Sequence, residues 1–101
     1  MYDFHKCINS CIKKRDLESL RLFVIALLAE RVNSMMNYND LVFCNVFKSD
    51  VVIAKTLAMD AQDIVYCLKT LKAIHEGNWE AIKNLFTKWY EYVIDKIVEE
   101  I

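Results

Sequence analysis

The sequence predicts an all-α fold, a compact bundle of about five or six antiparallel helices built from helix–turn–helix hairpins. Three observations predict it. The chain has no proline and a single glycine, Gly77, whereas sheet proteins of this size need several tight turns supplied by Gly, Pro or Asn-Gly pairs. Apolar residues recur at i, i+3, i+4 and i+7, the spacing of one helical face. No linker or low-complexity stretch interrupts the 101 residues, so residues 1–101 read as a single domain.

The first helix is expected over about residues 3–14, with Phe4, Cys7, Ile8 and Cys11 on one face. Lys13, Lys14 and Arg15 follow at its C-terminal end, where positive charge complements the helix dipole. Asp16 is an N-cap for the second helix, and Glu18 suits its first turn. That helix runs to about residue 33, and "SMMNYN" (34–39) reads as a connection. The stretch 40–58 is rich enough in Val, Ile and Phe for two short strands. Two short helices, about 40–47 and 50–58, fit better, since a lone hairpin would be out of place in a bundle. Ser49 or Asp50 would cap the second of them.

Asp60 is expected to cap the next helix, with Asp63 at the third helical position as a loose capping-box relative. Ala61, Ile64, Val65, Leu68 and Leu71 then form its buried stripe. Gly77 suits the left-handed position after a helix end, and Asn78 restarts the chain as an N-cap. The last helix begins at Trp79 and buries Ile82, Phe86, Trp89, Val93 and Ile97. Residues 11–24 and 73–86 align without gaps, each a helix end, a capped turn and a new helix. Only Ile12/Ile74 and Glu18/Glu80 are identical, so shared capping rules account for the echo as well as duplication does. Two hairpins also fall short of the three or so repeats a solenoid needs.

Leu22 to Ala29 are eight consecutive apolar residues. On a helix they cover the whole circumference, and such a helix must be covered on all sides. Either it is central, ringed by its neighbours, or one of its faces meets another subunit. The apolar share of the chain, 55%, exceeds the ~45–50% of average soluble domains. A small domain has little interior in which to place the surplus.

Formal net charge is −1 and the pI is about 6.1, so nothing drives the whole chain toward phosphate backbones. The charge is uneven: Lys6, Lys13, Lys14, Arg15 and Arg21 crowd the beginning, and Glu91, Asp95, Glu99 and Glu100 the end. That asymmetry serves head-to-tail packing within one chain or between two. Cys7, Cys11, Cys44 and Cys67 come without a secretory signal, so free thiols in a reducing, cytoplasmic compartment are expected. The apolar run is far shorter than the roughly 18–20 residues of a membrane span, so no membrane partner is expected.

Cys7 and Cys11, with His5 and either Cys44 or Cys67, are the sharpest candidate for a metal site. The second closely spaced pair of a structural zinc site is missing, and both thiols fall in the apolar stripe of Phe4 and Ile8. His75 and Glu76 precede Gly77, where a histidine complements a helix C-terminus. Trp79, Phe86, Trp89, Tyr90 and Tyr92 alternate with Lys83 and Lys88, a mixture that can stack on single-stranded bases. Glu80, Glu91 and Asp95 share that helix, and core packing accounts for its aromatics. No Walker loop, G-x-G-x-x-G, zinc-finger spacing or EF-hand loop occurs.

The expectation is therefore a small non-enzymatic interaction or assembly module that self-associates as a homo-oligomer, a homodimer in the simplest case. It has no catalytic residues, no cofactor and no metal. Leu22, Phe23, Ile25, Leu27 and Leu28 supply the apolar anchor, and Trp79, Trp89 and Tyr92 the aromatic hot spots. The alternative is a nucleic-acid-associated accessory or regulatory factor using Lys13, Lys14, Arg15 and Arg21. Three clustered basic residues are fewer than the five to eight of a nucleic-acid patch.

Overall fold

Two helical hairpins with the same turn organise the chain. The computed structural model describes residues 3–37 and 50–92, which form four helices. These are α1 (Phe4–Lys14), α2 (Leu17–Met36), α3 (Asp50–Glu76) and α4 (Trp79–Tyr92). The fold is all-helical, and there is no strand among the described residues.

The turns at residues 15–16 and 77–78 are built alike. In the first, Arg15 N–H donates to the Ile12 carbonyl at 3.2 Å and Asp16 N–H to the Cys11 carbonyl at 3.0 Å. In the second, Gly77 N–H donates to Ile74 and Asn78 N–H to Ala73, both at 3.0 Å. This crossed pair satisfies carbonyls that a helix end leaves open, and it needs a left-handed residue at its centre. Gly77 takes φ +66° without a side chain to strain. Arg15 takes φ 53° as a non-glycine residue, and its guanidinium lies 5.7 Å from the centroid of the Trp79 ring, within cation–π range. Arg15 of the first turn therefore lies against the residue that follows the second.

Each turn hands over directly to an N-cap. Asp16 Oδ1 accepts from Ser19 N–H at 3.1 Å, and Asn78 Oδ1 from Ala81 N–H at 3.1 Å. Asp3 opens α1 in the same way, accepting from Lys6 N–H at 3.2 Å. The Ser19 hydrogen bonds hold the Asp16 carboxyl below its usual value. The alignment of 11–24 with 73–86 thus corresponds to a repeated turn geometry.

The core gathers where the helices meet, α2 packing on α1 and α3, and α4 on α3 and α1. Ile8, Leu20, Val24, Leu27, Cys67 and Ile82 are fully enclosed. Trp89 is buried and stacks on both Tyr66 and His5, with ring centroids 4.2 Å apart in each pair.

Several expectations are corrected. The described residues form four helices against the five or six expected: the helices expected at 50–58 and from Asp60 are one uninterrupted α3, and the one expected at 40–47 is not among the described residues. No Gly or Pro lies between residues 50 and 76 to stop it. Asp60 is not an N-cap, and Asp63 does not serve a capping box. Both are buried in mid-helix; the Asp60 carboxylate lies 3.9 Å from Arg31 Nε, and Asp63 accepts a hydrogen bond from the same atom at 2.7 Å. The stripe expected to be buried is rotated as well: Ala61, Val65 and Leu68 are exposed, while Ile64 and Leu71 are half-buried. The inward face is instead Asp60, Asp63, Tyr66, Cys67, Thr70, Ala73 and Ile74. α2 continues to Met36, so 34–36 is helix and not connection. The helix expected at 40–47, with Cys44, and the core positions Val93 and Ile97 lie outside the described residues.

Candidate interaction surface

The surface begins with how α2 is rotated. Its inner row is Leu20, Val24, Leu27 and Arg31, spaced four, three and four residues apart. The first three are fully buried. Arg31 reaches inward: its Nε donates to Asp63 Oδ2 on α3 at 2.7 Å, while Nη1 meets Glu30 Oε1 at 3.3 Å. Hydrogen bonding to Asp63 and the carboxylates around it raise the Arg31 pKa against the opposing effect of burial. Asp63 in turn accepts from Trp89 Nε1 on α4 at 2.7 Å. One carboxylate thereby ties together α2, α3 and α4, and it fixes which side of α2 faces inward.

The opposite side of α2 follows from that rotation. Leu22, Ile25, Ala29, Val32 and Met36 recur at alternating steps of three and four, the spacing of a helix–helix seam. All are exposed: Leu22 by 54%, Ile25 and Val32 by 40% each, and Met36 by 74%, with Ala26 and Ala29 also open. Charges border the row on its two sides. Arg21, bonded to Glu18 at 3.1 Å, flanks one side, and Glu30 the other. The row also opens into a groove of about 390 Å³ lined by Phe4, Ser19, Leu22, Phe23 and Ala26, which extends it toward α1. α2 is thus neither wholly ringed nor amphipathic: it has a buried apolar seam and an exposed one.

The expected interface residues divide between core and surface. Leu22 and Ile25 lie on the exposed row, and Phe23 and Leu28 are half-buried against the core. Leu27 and Trp89 are core residues of the same chain and offer no area to a partner. Trp79 is half-buried beneath Arg15, and the side chain of Tyr92 lies outside the described residues. What the sequence reading missed is the outer half of the row, Ala29, Val32 and Met36. The three–four spacing was there to find Ala29 and Val32, and ending the helix near residue 33 left out only Met36.

The four basic residues of the alternative reading, Lys13, Lys14, Arg15 and Arg21, are all exposed. Lys13 and Lys14 are exposed in the last turn of α1, Arg15 stacks on Trp79, and Arg21 pairs with Glu18. Among the described residues, no group of three or more His, Cys, Asp or Glu is placed to hold a metal ion. None of the described helices is long and apolar enough to cross a membrane. No protein-family model, curated protein or solved structure matches the chain.

Proposed function

We propose that the chain is a small non-enzymatic assembly module that self-associates through the outer seam of α2. The observation that carries this reading is the row Leu22, Ile25, Ala29, Val32 and Met36, exposed along four turns of one helix. Composition supports it: apolar residues make up 55% of the chain, above the ~45–50% of average soluble domains.

Sedimentation across a dilution series tests the reading. The expected result is a species near twice 11.9 kDa that dissociates on dilution. Leu22→Asp should remain folded and shift to monomer, because this side chain is already half in water. Leu27→Asp should unfold the chain instead, since it places a charge in an enclosed core position. A wild-type protein that sediments as a monomer at every concentration refutes self-association.

A further inference from the structure

We infer that the groove between α1 and α4 is a binding site for single-stranded nucleic acid. Lys6, Lys13 and Lys83 meet its phosphates, and Phe86 offers its ring to a base. This surface is separate from the α2 row, and the inference does not depend on self-association.

The two helices run antiparallel along the groove. His5, in the first turn of α1, lies against Phe86 and Trp89 of α4, with ring centroids 5.3 and 4.2 Å away. Arg15, just past the end of α1, lies over Trp79, the first residue of α4. Between those two contacts the groove is about 15 Å long at 1.5 Å per residue of α1. Projected at 100° per residue, Lys6, Asn9 and Lys13 fall within about 60° of one another along one edge of α1. Trp79, Lys83 and Phe86 do the same along the edge of α4 that touches α1. At the His5 end the groove deepens into a cavity of about 410 Å³ lined by Asp3, His5, Lys6, Asn9 and Phe86.

Charge selects the class of partner. Lys6, Lys13 and Lys83 are exposed, and none of them is in an ion pair among the described residues. Arg21 and Arg31, on α2, are paired with acids instead. Asp3 is the one acid lining the cavity, and its carboxylate is engaged as the α1 N-cap, accepting from Lys6 N–H. Glu80 lies about 60° beyond Lys83, turned away from α1. The chain as a whole carries −1, yet this groove gathers three uncompensated cations and so favours a polyanion.

The ring narrows the choice. Phe86 is half-buried, backed edge-on by Trp89 at 5.9 Å, and lines the cavity beside Lys6. Every nucleobase has a π-face to lay on such a ring, and basic grooves with aromatic side chains hold single strands without sequence preference. A duplex keeps its bases stacked inside and presents phosphates alone. An acidic peptide brings charge without a base.

Fluorescence anisotropy of a labelled oligothymidylate of roughly ten nucleotides, mixed with the full chain over a range of salt concentrations, tests the inference. Three phosphate contacts give a log–log salt slope of about −2 for a single strand, so doubling the salt should weaken binding about four-fold. Lys6→Ala, Lys13→Ala and Lys83→Ala should each take about 0.7 off that slope. Lys69→Ala and Lys72→Ala, exposed on α3, should leave it unchanged. Phe86→Leu keeps an apolar side chain against Trp89 and should weaken binding several-fold, with helix content checked by circular dichroism. A duplex of the same length should bind more weakly than the single strand. Absence of binding at the lowest salt overturns the proposal. So does an equal loss in the α3 lysine variants, an unchanged affinity in Phe86→Leu, or equally tight binding of the duplex. Equally tight binding of polyglutamate overturns it too, and would make the groove a site for acidic peptides.

Discussion

Trp89 donates its indole N–H to Asp63 Oδ1 at 2.7 Å, across 26 positions of sequence and inside the core. The other Asp63 oxygen accepts from Arg31 at the same distance. Neither contact is visible in any local pattern, yet together they hold three helices in one rotational setting. Asp63→Ala leaves the buried indole donor without its acceptor and the Arg31 guanidinium with only Glu30 and Asp60 beside it. Hydrogen bonds to charged groups contribute about 1.5–3 kcal/mol each, and Arg31 keeps some contact with water, so a loss of about 2–4 kcal/mol is expected in urea unfolding. Trp89→Phe keeps a stacked ring and should cost less. Because the two residues share one bond, the double variant should be less destabilised than the two single losses combined, by roughly 1–2 kcal/mol. Strict additivity would show that the bond contributes nothing.

His5 gives the fold a pH dependence near neutrality. It stacks on Trp89, and burial lowers its pKa, opposed by the Asp3 and Asp63 carboxylates. A depressed histidine is neutral in both states above its unfolded value of about 6.5. As pH falls through that value the unfolded chain takes up the proton first, so stability declines on acidification and is fully present above it. The urea midpoint should therefore fall between pH 7.5 and pH 5.5. His5→Phe, which retains a ring but cannot titrate, should flatten that change. The Asp16 cap is lost only at lower pH, as its depressed carboxyl takes up a proton, so the two effects separate. An unchanged slope in His5→Phe would remove the histidine from this account.

The thiols should differ sharply in reactivity. Cys67 is fully enclosed beneath Asp63 and Arg31, and burial together with the nearby carboxylate pushes it up to about 12. Burial raises Cys11 as well, whereas Cys7 is only half-buried. The thiolate is the reactive form. At pH 8, alkylation followed by peptide mass mapping should label Cys7 ahead of Cys11 and Cys67, and Cys67 only at the rate set by opening of the fold. Comparable native-state rates for Cys7 and Cys67 would contradict the buried placement.

How much of this was legible can be followed residue by residue. Asp16, Gly77 and Asn78 were readable as punctuation because capping is local: a carboxylate or amide reaches an N–H three residues away, and glycine alone takes a left-handed turn freely. The α1 face of Phe4, Ile8 and Cys11 was readable because its periodicity agrees with its burial. The inward face of α3 was not. Hydropathy places Asp60, Asp63 and Thr70 outside and Val65 and Leu68 inside, and the fold does the reverse. Arg31, about thirty positions earlier, supplies the partner that lets acids face inward. The outer seam of α2 was half legible. An apolar circumference announces surplus surface, but which half is left open depends on where Arg31 is drawn.

The sequence by itself determined the helical class, the two capped turns and the excess of apolar side chains, since each follows from residues within a few positions of one another. Only the tertiary structure decided the rotation of α2 and α3, and with it which apolar residues are enclosed and which face outward. The physical reason is that helix formation is settled by neighbours along the chain, whereas rotation is settled by one carboxylate shared among side chains from three helices.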